Sequence, residues 1–248
     1  MTRTFCIANQ KGGVGKTTTA ITLADALAKS GAKTLLVDFD PQCNATAGLG
    51  FRPLVEHPLV SGTLLSKTID KTAIDGLDLL AGTRNLSDIE LFAHGDEAVL
   101  KRIREQLTQE IRSYDYVLFD CPPSMGQLTQ MALECATDVL MPIQCEYFAM
   151  EGLVQMIEVI GKVMQERQWK LEFGGIVLTM VDHSLELAGE VESEVREFFG
   201  EIVFESVIPR DAAVSEAPSH GLSVLDYAPR SRGTRAYLEL CMEVLERV

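Results

Sequence analysis

The chain has 248 residues, 46% of them hydrophobic, with 22 basic against 36 acidic side chains and a formal net charge of −14. That length and apolar share suffice for one substantial core, so a single domain over 1–248 is expected. The acidity disfavours a broadly basic, nucleic-acid-coating surface without excluding a local basic patch, and no run of about 18 apolar residues is present to span a membrane.

Arg3 to Asn9 reads as a short apolar strand, and Ile21, Leu23, Ala24, Leu27 and Ala28 give 17–29 a helical period. A strand beginning this early leaves no room for a secretory leader ahead of it. Between strand and helix stands Asn9-Gln-Lys-Gly-Gly-Val-Gly-Lys-Thr-Thr18, which ends as a P-loop does in Gly15, Lys16 and Thr17 but carries Gln10 where the first glycine of G-x-x-x-x-G-K-[ST] belongs. Gly12, Gly13, Val14, Gly15, Lys16, Thr17 and Thr18 would wrap phosphates at a helix N-terminus, with Lys16 on the β/γ-phosphates and the Thr17 hydroxyl on Mg²⁺. Lys11 is a second lysine that such a cradle does not itself require.

Further apolar strands are expected at 33–38, 77–80, 116–120, 139–143, 175–180 and 203–207, alternating with helices at 96–112, 125–136, 148–168, 186–199 and 233–247. This rhythm predicts an α/β, P-loop NTPase-like fold: a mostly parallel twisted sheet with helices on both faces and its site at the carboxyl ends of the strands. Residues 50–75, interrupted by Pro53, Pro58 and Gly62, read as loop. Two of the strands run into carboxylates. Leu35-Leu-Val-Asp-Phe-Asp-Pro-Gln42 places Asp38 and Asp40 where they either hold water or Mg²⁺ beside a phosphate site or simply end a strand before Pro41. Tyr116-Val-Leu-Phe-Asp120 repeats the design, and Asp120 matches a Walker B aspartate that supports Mg²⁺. Cys6, Cys43, Cys121, Cys135, Cys145 and Cys241 show no C-x-x-C spacing and read as reduced thiols of a cytoplasmic protein.

NQKGGVGKTTTA (9–20), LLVDFDPQ (35–42), NATAGLG (44–50), FDCPPS (119–124), PIQCEYFAMEGL (142–153), VLTMVD (177–182), IPRDAAVSEAPSHG (208–221) and YAPRSRG (227–233) recur in order from end to end, and with them the chain resembles the ParA/Soj branch of the deviant Walker A ATPases, whose superfamily includes MinD. The resemblance implies an ATPase that uses ATP and Mg²⁺, forms an ATP-bound homodimer and positions DNA or another large cargo under a ParB-like activator. By the same resemblance Lys11 reaches the partner subunit's nucleotide, Asp40 serves hydrolysis, Asp38 and Asp120 meet Mg²⁺ directly or through its water, and Pro209 and Arg210 border the adenine.

Two positions depart from the family pattern. Ser184 stands where many chromosomal members carry a DNA-contacting arginine and Ala213 where they carry a second arginine, leaving Arg210, Arg230, Arg232 and Arg235 either as a substitute cluster or as nucleotide contacts and local ion pairs. The segment from Glu186 to Glu205 holds seven acidic residues against Arg196 alone. The alternative reading is therefore an ATP-switched scaffold that positions a protein cargo without strong DNA binding. MinD-like membrane targeting is not expected, because the polar positions of the C-terminal segment are mainly acidic where a membrane-binding helix is basic.

Overall fold

The computed structural model describes residues 2–87, 97–146, 149–166 and 171–247. Its centre is a sheet of eight strands: β1 (Arg3–Ile7), β2 (Thr34–Asp38), β3 (Ile69–Lys71), β4 (Leu77–Leu80), β5 (Tyr116–Asp120), β6 (Asp138–Gln144), β7 (Glu172–Val181) and β8 (Val203–Pro209). They lie in the order β3-β4-β2-β5-β1-β6-β7-β8, and every pairing is parallel except β3 with β4. The expected mostly parallel sheet is thus found. Residues 50–75 are not loop throughout, because they contain α3 (Pro58–Ser61), a 3-10 turn at Leu65–Lys67 and the antiparallel edge strand β3.

Helices cover both faces. The longer ones are α1 (Lys16–Lys29), α4 (Glu97–Glu110), α5 (Gln127–Cys135), α6 (Ala149–Glu166), α7 (Glu186–Phe199) and α10 (Arg232–Glu246). Short turns of helix form α2 (Asn44–Gly48), α8 (Ala212–Glu216) and α9 (Val224–Tyr227). These match the five expected later helices to within three residues at each described end; the expected ends at 96, 148 and 167–168 lie outside the described residues. None of the described helices is long and apolar enough to cross a membrane.

Side chains alternate across a strand, so each central strand feeds both layers. Leu35 and Val37 join Cys6, Phe119 and Val139 in one apolar cluster, while Leu36 joins Phe5, Ile7, Leu118 and Leu140 in the other. Strands buried on both faces read as continuous apolar runs, which explains why β2 is buried at all five positions. The second cluster takes in α1 and α10, and the acidic C-terminal helix turns Tyr237, Leu240, Cys241 and Val244 inward. A hydroxyl contact of 3.1 Å between Thr19 and Tyr237 joins those two helices.

Register sets the position of the site. β5 aligns Tyr116 to Asp120 with Thr34 to Asp38 on one side and with Arg3 to Ile7 on the other. Asp38 and Asp120 therefore end adjacent strands side by side, and the loop after β1 leaves from the same level. From β1 the chain crosses β5 to reach β2, and from β5 it crosses β1 to reach β6, so the crevice for ligands opens between them.

Candidate nucleotide and metal site

A cleft of about 500 Å³ opens above these strand ends, lined by Gly12, Gly13, Gly15, Lys16, Thr17 and Thr18 on one wall and by Met180, Pro209, Arg210 and Val214 on another. Its size falls within the range of small-molecule sites. Gly13 (φ 77°) and Gly15 (φ 86°) occupy the left-handed region, which a side chain at either position would strain. Gly15 also begins α1, whose N-terminus has no side-chain cap and no acidic residue in its first turn. That helix end presents free N–H groups and a positive dipole to an anion.

Lys16 is buried at 6% exposure, with Nζ donating to the Lys11 carbonyl at 3.0 Å. Burial pulls its pKa down, opposed by the charges of Asp120 and Asp40. Below it lie the carboxylates. Asp38 is fully buried and fully engaged: Oδ2 accepts from the Thr46 amide (2.8 Å) and hydroxyl (2.6 Å), and Oδ1 accepts from the Asp40 amide (3.2 Å). Burial pushes this group up to about 6 against those hydrogen bonds. Asp40 lines the cleft, using Oδ1 to accept from the Gln42 amide at 2.9 Å.

Asp120 differs from both. It is fully buried, and among the described residues neither carboxylate oxygen has a hydrogen-bond partner. Burial and then the Asp38 charge raise its pKa well above the usual carboxylate range; the Thr17 hydroxyl is near enough to oppose this, without completing a hydrogen bond of normal geometry. Buried polar atoms are nearly always satisfied, and a buried charge without a partner is costlier still. An orphaned carboxylate beneath a threonine at a phosphate loop is a fit for Mg²⁺, which keeps several waters and takes one or two carboxylates plus phosphate oxygens. Among the described residues no group of three or more His, Cys, Asp or Glu is placed to hold a metal by itself.

Comparison with known proteins points the same way. The family model described as "AAA domain" matches residues 2–173. Soj of Bacillus subtilis, a sporulation initiation inhibitor protein, is 42% identical over 252 residues, covering 98% of each chain. The chromosome partitioning protein ParA of Caulobacter vibrioides NA1000 is 43% identical, with 99% of this chain and 94% of that one covered. The chain belongs to the ParA/Soj family of ATPases. Among solved structures, cobyrinic acid a,c-diamide synthase of Mycobacterium smegmatis with bound ADP and magnesium superposes with a TM-score of 0.85 at 31% identity, covering 99% of this chain and 95% of that one.

Within this ParA/Soj-type site the expected residues separate. Lys16, Thr17, Thr18, Asp40, Pro209 and Arg210 line one cleft together with three loop glycines. Val14 is buried behind the loop, and Asp38 and Asp120 lie beneath the floor. Lys11 does not line the cleft; it projects outward, and its Nζ contacts Glu146 Oε2 at 2.5 Å. Ser184 folds back through its amide (3.0 Å) and hydroxyl (2.6 Å) onto Asp182, and Ala213 sits in α8, so neither offers a cation.

Three contributors lay outside the expectations. The Thr179 hydroxyl sits between the carbonyls of Val14 (2.8 Å) and Ile143 (2.9 Å) and ties the phosphate loop to β6 and β7 from behind. Met180, at φ 52°, holds a left-handed conformation on the cleft wall, and such strain concentrates at functional sites. Thr46 orients Asp38. A threonine inside a strand or short helix carries no sequence signal of such a role.

Proposed function

We propose that this ParA/Soj-family ATPase binds ATP with Mg²⁺, closes into a homodimer around two nucleotides, and in that state positions DNA, with a ParB-like protein triggering hydrolysis. The observation that carries this reading is the division of labour between the two lysines. Lys16 lies inside the cleft above the orphaned Asp120, whereas Lys11, from the same loop, does not line that cleft and pairs with Glu146 instead. A phosphate-loop lysine that does not serve its own nucleotide suits another subunit's, and positive charge delivered in trans is an effective way to stabilise phosphoryl transfer.

Thr17 and Asp120 would hold Mg²⁺, which when bound neutralises charge on the phosphate oxygens. Asp38 keeps Thr46 and the Asp40 backbone in place, and Asp40, whose Oδ2 accepts no hydrogen bond among the described residues, orients the attacking water. Pro209, Arg210 and Met180 flank the base.

For DNA, the supporting feature is that Arg210, Arg230, Arg232 and Arg235 are all exposed, with none in an ion pair among the described residues. Phosphate contacts need no more than such free cations. The net charge of −14 and the Ser184–Asp182 turn favour instead a scaffold for a protein cargo, and one assay separates the two. The protein with Mg²⁺ and ATP is expected to retain DNA of unrelated sequence at low salt, and Lys16→Ala is not. Failure of the wild-type protein to retain DNA at low salt would exclude the DNA reading; ATP turnover that follows a small-molecule substrate rather than a protein partner would exclude the positioning role altogether.

A further inference from the structure

We infer that Glu146 is a positioning residue that holds Lys11 on its own subunit until nucleotide arrives, so that the loop itself delays dimerisation; this rests on the dimer proposed above. Lys11 is fixed at three points. Its amide donates to Asn9 Oδ1 at 3.0 Å, and Asn9 Nδ2 in turn donates to the Pro142 carbonyl at 2.8 Å. Its carbonyl accepts from Lys16 Nζ at 3.0 Å. Its ammonium meets Glu146, two residues beyond the end of β6, with side chains 41% and 49% exposed.

The second and third contacts change for a physical reason when phosphate enters. Lys16 is the buried cation of the cleft, and a phosphate is a far stronger acceptor for it than a backbone carbonyl. Once Lys16 turns to phosphate, the Lys11 carbonyl loses its partner and the backbone around Lys11 loses a restraint. The ammonium is then kept at home by the Glu146 contact alone. Such an exposed pair is weak, which suits a contact that must open on every cycle. Lys11 can leave it for the partner subunit's phosphates only by giving up Glu146, so the ion pair counts against the dimer and not for it. Two such pairs open per dimer.

An exposed ion pair changes an equilibrium by a factor of about 1.4 to 5, so two change it by about 2 to 30. Sedimentation of the full chain with Mg²⁺ and ATP should show Glu146→Gln dimerising at a concentration lower by that factor. Glu146→Asp, which keeps the charge one methylene further back, should lie between it and the wild type. Raising salt should bring wild type and Glu146→Gln together, because the pair is screened. Without nucleotide, the Lys11 amine should react faster with an acylating reagent in Glu146→Gln than in wild type, as read by peptide mass. Equal or weaker dimerisation of Glu146→Gln, or unchanged Lys11 labelling, overturns the latch while leaving the dimer standing. A wild-type chain that stays monomeric with ATP overturns the dimer and the delay together, and faster labelling in Glu146→Gln would then show the cis contact alone.

Discussion

Asp120→Asn should make the nucleotide-free protein more stable and the nucleotide-bound protein relatively weaker. In the wild type both oxygens of Asp120 are buried without a hydrogen-bond partner among the described residues beside the buried Asp38, so folding carries the cost of an unsatisfied carboxylate, repelled by Asp38 and only partly offset by Thr17 and the Lys16 charge. An unsatisfied buried polar group costs about 1–3 kcal/mol, and ionisation adds to it. Asparagine keeps the shape and removes the charge but leaves an amide of its own to satisfy, so the net gain should be about 1–2 kcal/mol. For a protein of this length that raises Tm by about 2–8 °C. The wild type should gain about 2.7 kcal/mol from Mg·ATP at a hundred times its Kd, and the Mg²⁺-dependent part of that gain should vanish in the variant. Calorimetry with and without Mg·ATP reads both effects. An Asp120→Asn protein that melts below the wild type without nucleotide would refute the view that this carboxylate awaits a cation.

Thr179→Val keeps volume but removes the hydroxyl between Val14 and Ile143, so it should cost about 1–3 kcal/mol of stability and weaken ATP binding in titration calorimetry. His57 is fully buried, its Nδ1 accepts from the Leu59 amide, and burial lowers its pKa from 6.5 to about 4. The unfolded chain binds that proton first, so His57 contributes stability above pH 6.5 that is lost as pH falls toward 4, by about 3 kcal/mol; denaturant titrations of wild type and His57→Gln at pH 7 and 4.5 should differ in that sense. Replacing Arg230, Arg232 and Arg235 together by alanine should lower the slope of log K for DNA against log salt by about 3, with ATP binding unchanged.

The sequence carried the parts of this fold that depend on local pattern. Central strands such as Leu35 to Asp38 are legible because burial on both faces demands an unbroken apolar run, and the helices because their period is 3.6. The strand Ile69–Lys71 escaped because three residues, none of them fully buried, show no alternation, and its antiparallel pairing with Leu77–Leu80 depends on Gly76 at φ 82° turning the chain. Lys16, Thr17, Asp40 and Asp120 were legible because each stands at a strand end or loop where its chemistry has a known spacing. Thr179 and Glu146 were not, since each acts on the phosphate loop from more than 130 residues away, through contacts that only the sheet order β1-β6-β7 creates. Asp38 was legible as a carboxylate but not as a strut, because its partner Thr46 lies in a short helix with no strong sequence signal.

The order of strands also bears on how strongly the proposed site would be tied to nucleotide. β5 is bounded by β2 and β1 on its edges and by apolar layers on both faces, so its last residue, like Asp38 at the end of β2 beside it, is shut off from water. A carboxylate put there raises the energy of the empty protein, and so does the left-handed Met180 across the cleft. The first cost falls on the empty protein, and bound Mg·ATP would relieve it directly. Relief of that built-in defect adds to the affinity of the cleft, and the same amount enters the free-energy difference between empty and loaded states. A switch needs such a difference in order to move its surface. On this view the weak Lys11–Glu146 contact can gate assembly because the larger difference has already been set beneath the phosphate loop, at Asp120.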